Sequence, residues 1–173
     1  RVHEERGCID GILVGANTVI KDNPTLTARG QGPRRMPTRI VLDRSLRSPS
    51  DAKVFNSDAK TILVHDSSND AYSYNCETIA VNAAMGSIDL RELLTTLSKS
   101  YDITNLVVEG GAETIKRFLD ASLVDELWVF KSPNKTNCNE YVNMNDVIEQ
   151  LFTECVLERS SGIDTEFRYL ING

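Results

Sequence analysis

Two adjacent glycines between an apolar segment and a helical segment mark the place where residue types and spacing favour ligand binding most. The apolar residues 105–108 run into Glu109. Gly110 and Gly111 follow and lead directly into residues 112–121. Glycines permit positive φ angles and a close approach of a ligand to the backbone. A helix that begins directly after them offers free N–H groups and a positive dipole end to a phosphate.

The same turn carries one carboxylate, Glu109, which could accept hydrogen bonds from the amino or hydroxyl groups of a ligand. Taken alone, such a residue is more typical of a solvated or ion-paired turn. The glycines also lack the G-x-G-x-x-G spacing of the Rossmann fingerprint. A nucleotide-binding turn and an ordinary strand-to-helix turn therefore both stay open at this point.

A second group of small and polar residues follows the apolar residues 9–14. Gly15 ends this run, and a small residue there lets a flat ligand lie against the backbone. Thr18 and Asp22 are four positions apart, so one helical turn would place them on the same face. The alternative is that Asn17 or Thr18 caps a helix without any ligand.

Arginines near two of these segments could bind a phosphate by paired hydrogen bonds. Arg29 begins a loop rich in Gly and Pro, where Arg34 and Arg35 are more typical of a solvated basic loop. Arg44 comes directly after the predicted strand at residues 39–43, whose central residues 40–42 are apolar. An arginine just past a strand end can meet the 2′-phosphate that distinguishes NADP from NAD.

Composition excludes several other functions. The 19 Lys and Arg residues against 25 Asp and Glu residues give a net charge of −6. General nucleic-acid binding needs a basic face, so we expect no nucleic-acid partner, although a local basic cluster can hold one phosphate. No apolar run reaches the ~18 residues of a membrane span, and no signal peptide is recognisable. We therefore expect a cytoplasmic protein with no membrane partner.

The pattern of potential metal ligands predicts no metal site. His3 and Glu5 match the H-x-E of zinc deaminases, but the P-C-x-x-C segment is missing. Composition does not exclude a Ser-His-Asp triad, but no G-x-S-x-G elbow is present. The cysteines form no C-x-x-C pair, which is typical of small buried residues in a reducing compartment. They are Cys8, Cys76, Cys138 and Cys155.

Apolar runs alternate with helical patterns through the middle of the chain. Strands are predicted at residues 9–14, 39–43, 61–65, 78–81, 105–108, 127–130, 155–158 and 166–171, and helices at residues 89–100, 112–121 and 147–152. This order predicts an α/β fold with a mostly parallel central sheet and an antiparallel C-terminal edge. The 173 residues fit one domain.

Three segments, taken in order, resemble one family. They are residues 10–24, residues 39–43, and residues 106–111 together with residues 123–127. The chain resembles the NADPH-dependent reductase domain of riboflavin biosynthesis over about residues 1–133, and more loosely beyond them. The resemblance implies a fold similar to dihydrofolate reductase, a three-layer α/β/α arrangement.

The resemblance also implies an activity. The family uses NADPH to reduce a ribosylaminopyrimidinone 5′-phosphate to its ribitylamino form, with the hydride delivered to C1′ of the ribose. Together with the arguments above, this gives a cofactor-binding set of Gly15, Thr18, Asp22, Arg44, Gly111, Ala112, Glu113, Thr114, Ile115, Lys116 and Arg117. The substrate-binding set is Arg6, Leu26, Arg29 and Glu109. The catalytic proton donor stays open between Asp22 and Glu109, either of which could simply bind.

The resemblance further implies a homodimer, because family members commonly pair through the sheet edge and the C-terminal region. The apolar residues 127–130 could serve that contact or form a core strand. The family's first strand, with its Ser-Leu-Asp-Gly-type turn, has no counterpart, and residues 1–8 are typical of the end of a helix. We therefore expect a single reductase domain over residues 1–173 that lacks its N-terminal strand in this chain.

Two further departures from the family pattern concern the cofactor and the C-terminal part. Arg44 stands where the family often has a small polar residue, and residues 132–145 are polar and rich in Asn. Two other functions also stay open. One is a dihydrofolate-reductase-like oxidoreductase for another pterin or pyrimidine, against which Arg6 and Arg29 favour a phosphorylated substrate. The other is a non-catalytic nucleotide-binding module, which the missing strand would favour.

Overall fold

The computed structural model describes residues 8–28, 36–83, 86–133, 154–161 and 163–170 of the chain. Contacts divide the chain into two compact units, Arg1–Arg117 and Phe118–Gly173. Parallel strands form the sheet of the first unit, and antiparallel strands form the sheet of the second. Within the described ranges, no helix is long and apolar enough to cross a membrane.

The first unit contains one parallel sheet. Its strands are β1 (Gly11–Gly15), β2 (Thr38–Leu42), β3 (Thr61–Asp66), β4 (Glu77–Val81) and β5 (Leu106–Val108). Their order is β4-β3-β2-β1-β5, so β1 is an interior strand. Its residues Ile12, Leu13 and Val14 are completely buried, as expected for a continuous apolar run in a parallel sheet. The strands predicted in this part of the chain are confirmed.

The order of the strands reverses once. The chain adds β2, β3 and β4 on one side of β1, and then returns to place β5 on the other side. The carboxyl ends of β1 and β5 therefore flank a topological switch point, which is where open α/β sheets bind ligands.

Within the described residues, three helices and a 3-10 turn come after strands of this sheet, the last of the helices after β5. They are α1 (Ala16–Asp22), α2 (Leu90–Tyr101), α3 (Ala112–Asp120) and the 3-10 turn Lys53–Phe55. In α2, the Asp89 side chain accepts hydrogen bonds from the first-turn N–H groups, and Leu93 and Leu97 are buried. The predictions of α2 and α3 are confirmed. The sequence does not predict α1, because no side chain caps it and three β-branched residues, 18–20, follow one another.

A buried arginine stabilises the start of β2. The Arg39 side chain is completely buried. Its Nη1 donates to Thr25 O at 3.2 Å and to Asn56 Oδ1 at 2.8 Å. Its Nη2 donates to the carbonyl oxygens of Asn56 and Ala59. Burial lowers the pKa of Arg39, and the Asp58 carboxylate opposes that effect. Arg39 thereby holds the segment after α1 against residues 56–59.

The second unit contains an antiparallel sheet. Its strands are β6 (Glu126–Lys131), β7 (Glu154–Ser161) and β8 (Asp164–Leu170), in the order β6-β8-β7. The predicted strand at residues 127–130 and the predicted closing pair of C-terminal strands are confirmed. Among the described residues, these three antiparallel strands are hydrogen-bonded to one another as one sheet. The helix predicted at residues 147–152 lies outside the described residues.

One carboxylate in the centre of this sheet binds two arginines. Glu166 on β8 is completely buried and accepts hydrogen bonds from Arg159 at 2.9 Å and from Arg168 at 2.8 Å. The Arg168 guanidinium also lies 4.0 Å from the centre of the Trp128 ring. Burial alone would raise the pKa of Glu166, but the hydrogen bonds from the two arginines outweigh it and lower the pKa.

We expect Glu166→Gln to lower the free energy of unfolding of this unit by about 1.5–3 kcal/mol at neutral pH, because it loses hydrogen bonds to charged groups. A carboxyl with a lowered pKa in the folded state stabilises the fold at pH values above the usual glutamate pKa of about 4.3. That stabilisation is lost as the pH falls through the lowered pKa. The difference between variant and wild type should therefore shrink in acid. Urea denaturation at several pH values, followed by the fluorescence of Trp128, measures it.

Trp128 is the single tryptophan of the chain and lies in β6, so its signal reports on this sheet. Glu158→Gln is a matched control, since Glu158 is an exposed glutamate of the adjacent strand β7. A destabilisation by Glu166→Gln that does not change with pH would contradict the role of the carboxylate charge.

Candidate functional site

A cleft of about 510 Å³ lies at the carboxyl ends of β1 and β2 and at the start of α3, next to the switch point. All of its lining residues belong to the first unit. They are Gly15, Ala16, Asn17, Thr18, Leu42, Asp43, Arg44, Ser45, Arg47, Gly86, Ser87, Gly111, Glu113, Thr114 and Arg117. The cleft therefore lies where the topology of the sheet predicts a ligand site.

The predicted glycine turn forms one wall of the cleft. Gly110 and Gly111 have φ angles of 71° and 66°, which favour glycine strongly. A Cβ atom on Gly110 would lie 3.2 Å from Thr18 Oγ1, and one on Gly111 would lie 3.1 Å from the same atom. The turn therefore packs directly against Thr18 in α1, and larger residues would separate the two.

A third glycine brings β1 against α3. A Cβ atom on Gly15 would lie 2.4 Å from Thr114 Oγ1, closer than any real contact. Thr114 is buried, in the first turn of α3. The backbone of Gly15 has φ −83° and ψ 159°, which any residue can adopt. Glycine is therefore required at this position by space rather than by backbone conformation.

The side chains of the cleft carry more positive than negative charge. Arg44, Arg47 and Arg117 line it, against the two acidic residues Asp43 and Glu113. Asp43 is only 1% exposed, so its carboxylate lies beneath the surface. This local excess of arginine, in a chain of net charge −6, favours a ligand with several phosphate charges.

A chain of hydrogen bonds connects three elements around the cleft. Arg47 Nη2 donates to Asn17 Oδ1 at 3.0 Å, and Asn17 Nδ2 donates to Glu113 Oε2 at 3.4 Å. These contacts join the loop after β2, the first turn of α1 and the first turn of α3. They orient Arg47 towards the N-termini of both helices, where anions bind favourably.

The segment after β4 forms another wall. Arg117 Nη2 donates to Ser87 Oγ at 2.8 Å and to Ile88 O at 3.1 Å. Gly86 has a φ angle of 77°, and a Cβ atom on it would lie 3.1 Å from Arg44 Nη1. Arg44 and Arg117 therefore approach the same short segment from different elements.

Most of the predicted cofactor-binding residues lie together in this cleft. The ones that line it are Gly15, Thr18, Arg44, Gly111, Glu113, Thr114 and Arg117. Ala112, Ile115 and Lys116 belong to α3 but are not among the lining residues, and Asp22 is exposed in the last turn of α1.

Neither of the described residues predicted to bind substrate, Leu26 and Glu109, is among those that line the cleft. The Leu26 side chain is buried in the hydrophobic core of the first unit. Glu109 is half-buried directly before the glycine turn, and its N–H donates to Leu13 O at 2.8 Å. Arg6 and Arg29 lie outside the described residues.

Eight lining residues had no ligand-binding role predicted from the sequence. They are Ala16, Asn17, Leu42, Asp43, Ser45, Arg47, Gly86 and Ser87. Those next to β1 and β2 directly follow strands that the sequence predicts, so including every residue just after these strand ends would have found them. Gly86 and Ser87 have no local signal, since only the fold brings the segment after β4 to α3. Of the described residues, no group of three or more His, Cys, Asp or Glu could hold a metal ion.

A parallel sheet with a positively charged cleft at its switch point, and a glycine turn leading into a helix, is typical of nucleotide-binding α/β proteins. The chain belongs to the RibD C-terminal domain family, whose model matches residues 1–134.

Two relatives illustrate the similarity in sequence. The chain is 37% identical over 123 residues to the riboflavin biosynthesis protein RibD of Aquifex aeolicus, covering 70% of this chain and 34% of that protein. It is 35% identical over 138 residues to the 2,5-diamino-6-ribosylamino-4(3H)-pyrimidinone 5′-phosphate reductase of Methanothermobacter thermautotrophicus, covering 77% of this chain and 63% of that protein. The chain thus spans less than two thirds of the length of either relative.

Solved structures agree on the fold. RibD of Acinetobacter baumannii, in its form 2, aligns with a TM-score of 0.81 at 22% identity, covering 99% of this chain and 49% of that chain. A deaminase/reductase of Thermotoga maritima, acting on phosphoribosylamino pyrimidines by its name, aligns with a TM-score of 0.79 at 28% identity, covering 99% of this chain and 48% of that chain. The predicted dihydrofolate-reductase-like α/β fold class is confirmed.

We expect Gly15→Ala to destabilise the first unit by about 1–3 kcal/mol, because its methyl group would overlap the Thr114 hydroxyl. Thr114→Ala removes that hydroxyl, so the double variant should recover most of the stability that Gly15→Ala loses. A double-mutant cycle in urea, followed by circular dichroism, measures the coupling between the two positions. Additive losses would show that the contact does not determine the packing of β1 against α3.

Proposed function

We propose that the protein is an NADPH-dependent reductase of riboflavin biosynthesis, which converts a ribosylaminopyrimidinone 5′-phosphate into its ribitylamino form. The observation that carries this proposal is the cleft at the switch point, where three arginines accompany a turn of two positive-φ glycines. All of its lining residues fall within the family match. The names of the two relatives, which concern riboflavin biosynthesis and reduction of a pyrimidinone phosphate, support the same reaction.

The chemistry of the cleft fits a phosphorylated dinucleotide. The glycine turn and the first N–H groups of α3 suit a pyrophosphate. Arg44, directly after β2, suits the 2′-phosphate of NADPH rather than the 2′-hydroxyl of NADH. When bound, NADPH would supply the hydride. The role of the protein is then to hold the nicotinamide against the ribose carbon of the substrate and to exclude other orientations.

We infer that Glu109 is the carboxylate that contacts the substrate. Its backbone N–H donates to Leu13 O, which fixes the residue between the end of β5 and the glycine turn. A half-buried carboxyl at that point can hold a proton or bind an amino group of the pyrimidine. Neither Glu109 nor Asp22 is among the residues that line the cleft. Asp22 is exposed in the last turn of α1, whereas Glu109 is half-buried and directly precedes the glycine turn, so we favour Glu109.

We expect the protein to oxidise NADPH when a ribosylaminopyrimidinone 5′-phosphate is supplied, and to form one ribitylamino product for each NADPH consumed. The deaminated and the non-deaminated pyrimidine are assayed separately, with NADPH absorbance and product chromatography as readouts. NADPH binding without turnover of either compound would favour the non-catalytic module. Turnover of an unphosphorylated pterin instead would favour the dihydrofolate-reductase-like alternative.

We expect Glu109→Gln to lower kcat by about 10²–10⁴-fold, which is the usual contribution of a general acid or base. The affinity for NADPH should change little, because the substitution removes a charge facing the substrate. Asp22→Asn is measured in parallel, and Asp51→Asn, in an exposed turn, is the control. A larger loss of kcat with Asp22→Asn than with Glu109→Gln would assign the proton to Asp22.

We also propose that the protein is a homodimer. The sheet of the second unit exposes several large apolar side chains, including Phe130 at 38%, Val156 at 43% and Leu170 at 42%. Exposed apolar area of this kind favours contact with another protein surface. Sedimentation velocity of the wild type gives the oligomeric state directly.

A further inference from the structure

The short segment after β4 contributes two residues to the cleft for which the sequence predicts no binding role. Gly86 and Ser87 both line the cleft. Gly86 has positive φ, and the Arg44 guanidinium lies over it, in space that a side chain at this position would contest. A small residue in a left-handed conformation thus leaves room for the Arg44 guanidinium next to Gly86, the residue directly before Ser87.

Arg117 holds this segment from the other side. Its Nη2 donates to Ser87 Oγ at 2.8 Å and to Ile88 O at 3.1 Å. A hydroxyl oxygen that accepts a hydrogen bond from a guanidinium still has its own proton to donate. Because Arg117 polarises the Ser87 hydroxyl, the O–H proton of Ser87 can be donated to a further acceptor. An anion accepts the strongest hydrogen bond from it.

The charges around Ser87 select the kind of anion. Arg44 and Arg117 both approach the segment, whereas the Glu113 carboxylate is bonded to Asn17 near the other helix N-terminus. Two arginine charges beside one hydroxyl donor match a phosphomonoester, which carries about −1.5 to −2 charges at neutral pH.

We propose that Ser87 donates a hydrogen bond to the 2′-phosphate of NADPH, with Arg44 as its charged partner and Arg117 as the positioning residue. The inference rests on the proposed function, since it assumes that the cleft binds NADPH. Ser87 is bonded to Arg117 in the second half of α3, whereas the glycine turn directly precedes the first residue of that helix. Six positions separate Gly111 from Arg117, roughly 9 Å along a helix. A 2′-phosphate at Ser87 and a pyrophosphate at the glycine turn therefore have separate binding positions, as the two phosphate groups of one dinucleotide require.

The test compares ligands that differ only in the 2′-phosphate. Adenosine 2′,5′-bisphosphate and AMP are titrated by calorimetry into wild type and Ser87→Ala, and NADPH and NADH are titrated in the same way. Ser87→Ala should weaken the bisphosphate and NADPH about tenfold or more, because a hydrogen bond to a charged group is lost. Binding of AMP and NADH should stay unchanged.

Two further variants separate recognition from folding. Ser87→Thr keeps the hydroxyl and should restore most of the affinity for the bisphosphate. Ser67→Ala is the matched control, because Ser67 Oγ also donates an exposed hydrogen bond, to Asn82 Oδ1, but does not line the cleft. Arg117→Met should lower the preference for the bisphosphate over AMP, and adding Ser87→Ala to it should cost little more.

The outcomes distinguish the inference from the proposed function. Wild type that binds neither NADPH nor the bisphosphate contradicts the proposed function itself. Wild type that binds both, with Ser87→Ala weakening AMP and the bisphosphate equally or not at all, overturns the inference alone. The substrate also carries a phosphomonoester, so ribose 5-phosphate is titrated as well. Loss of its binding in Ser87→Ala, with bisphosphate binding unchanged, would assign Ser87 to the substrate and overturn the assignment to the cofactor.

Discussion

The hydroxyl of Thr114 fills the space that a side chain on Gly15 would need, and the site depends on this contact. It brings the carboxyl end of β1 against the first turn of α3, so that residues of both elements line the cleft. The same approach places Gly110 and Gly111 against Thr18 in α1. Three glycines and two threonines thus fix how two helix N-termini and two strand ends meet. Without that contact, the glycine turn alone would not hold α1 and α3 close together.

The cleft collects positive charge in a chain that is acidic as a whole. Arg44 and Arg47 come from the loop after β2 and Arg117 comes from α3, so only the fold brings the three together. Asn17 holds Arg47, and Ser87 with Ile88 O holds Arg117, so these two guanidinium groups are oriented before a ligand arrives. Preorganised donors cost less entropy on binding than side chains that must be ordered at that moment. The net charge of −6 over the whole chain limits non-specific attraction of other polyanions.

The sequence predicts the strands of the parallel sheet and the glycine turn because these depend on local patterns, namely apolar runs and Gly-Gly at a strand end. The helix α1 escapes prediction because Gly15 provides no side-chain cap, and because Thr18, Val19 and Ile20 have weak helix propensity. Packing of its buried face, with Val19 almost inaccessible, stabilises it instead. Gly86 and Ser87 also escape, because their neighbours Arg44 and Arg117 are far away in sequence. The pairing of β6 with β8 is likewise not predicted, because hydrophobic periodicity identifies strands but not their partners.

Arg39 carries a charge into an interior strand, and its partners couple two loops to that strand. Its guanidinium is stabilised by oxygens of Thr25, Asn56 and Ala59, which belong to segments on either side of β2 in the chain. If either segment moved away, the buried cation would be out of water and without part of its replacement partners. The stability of β2 therefore depends on the native positions of the chain after α1 and of the chain before β3. A substitution in one loop should also lower the stability of the other, because both bind the same side chain.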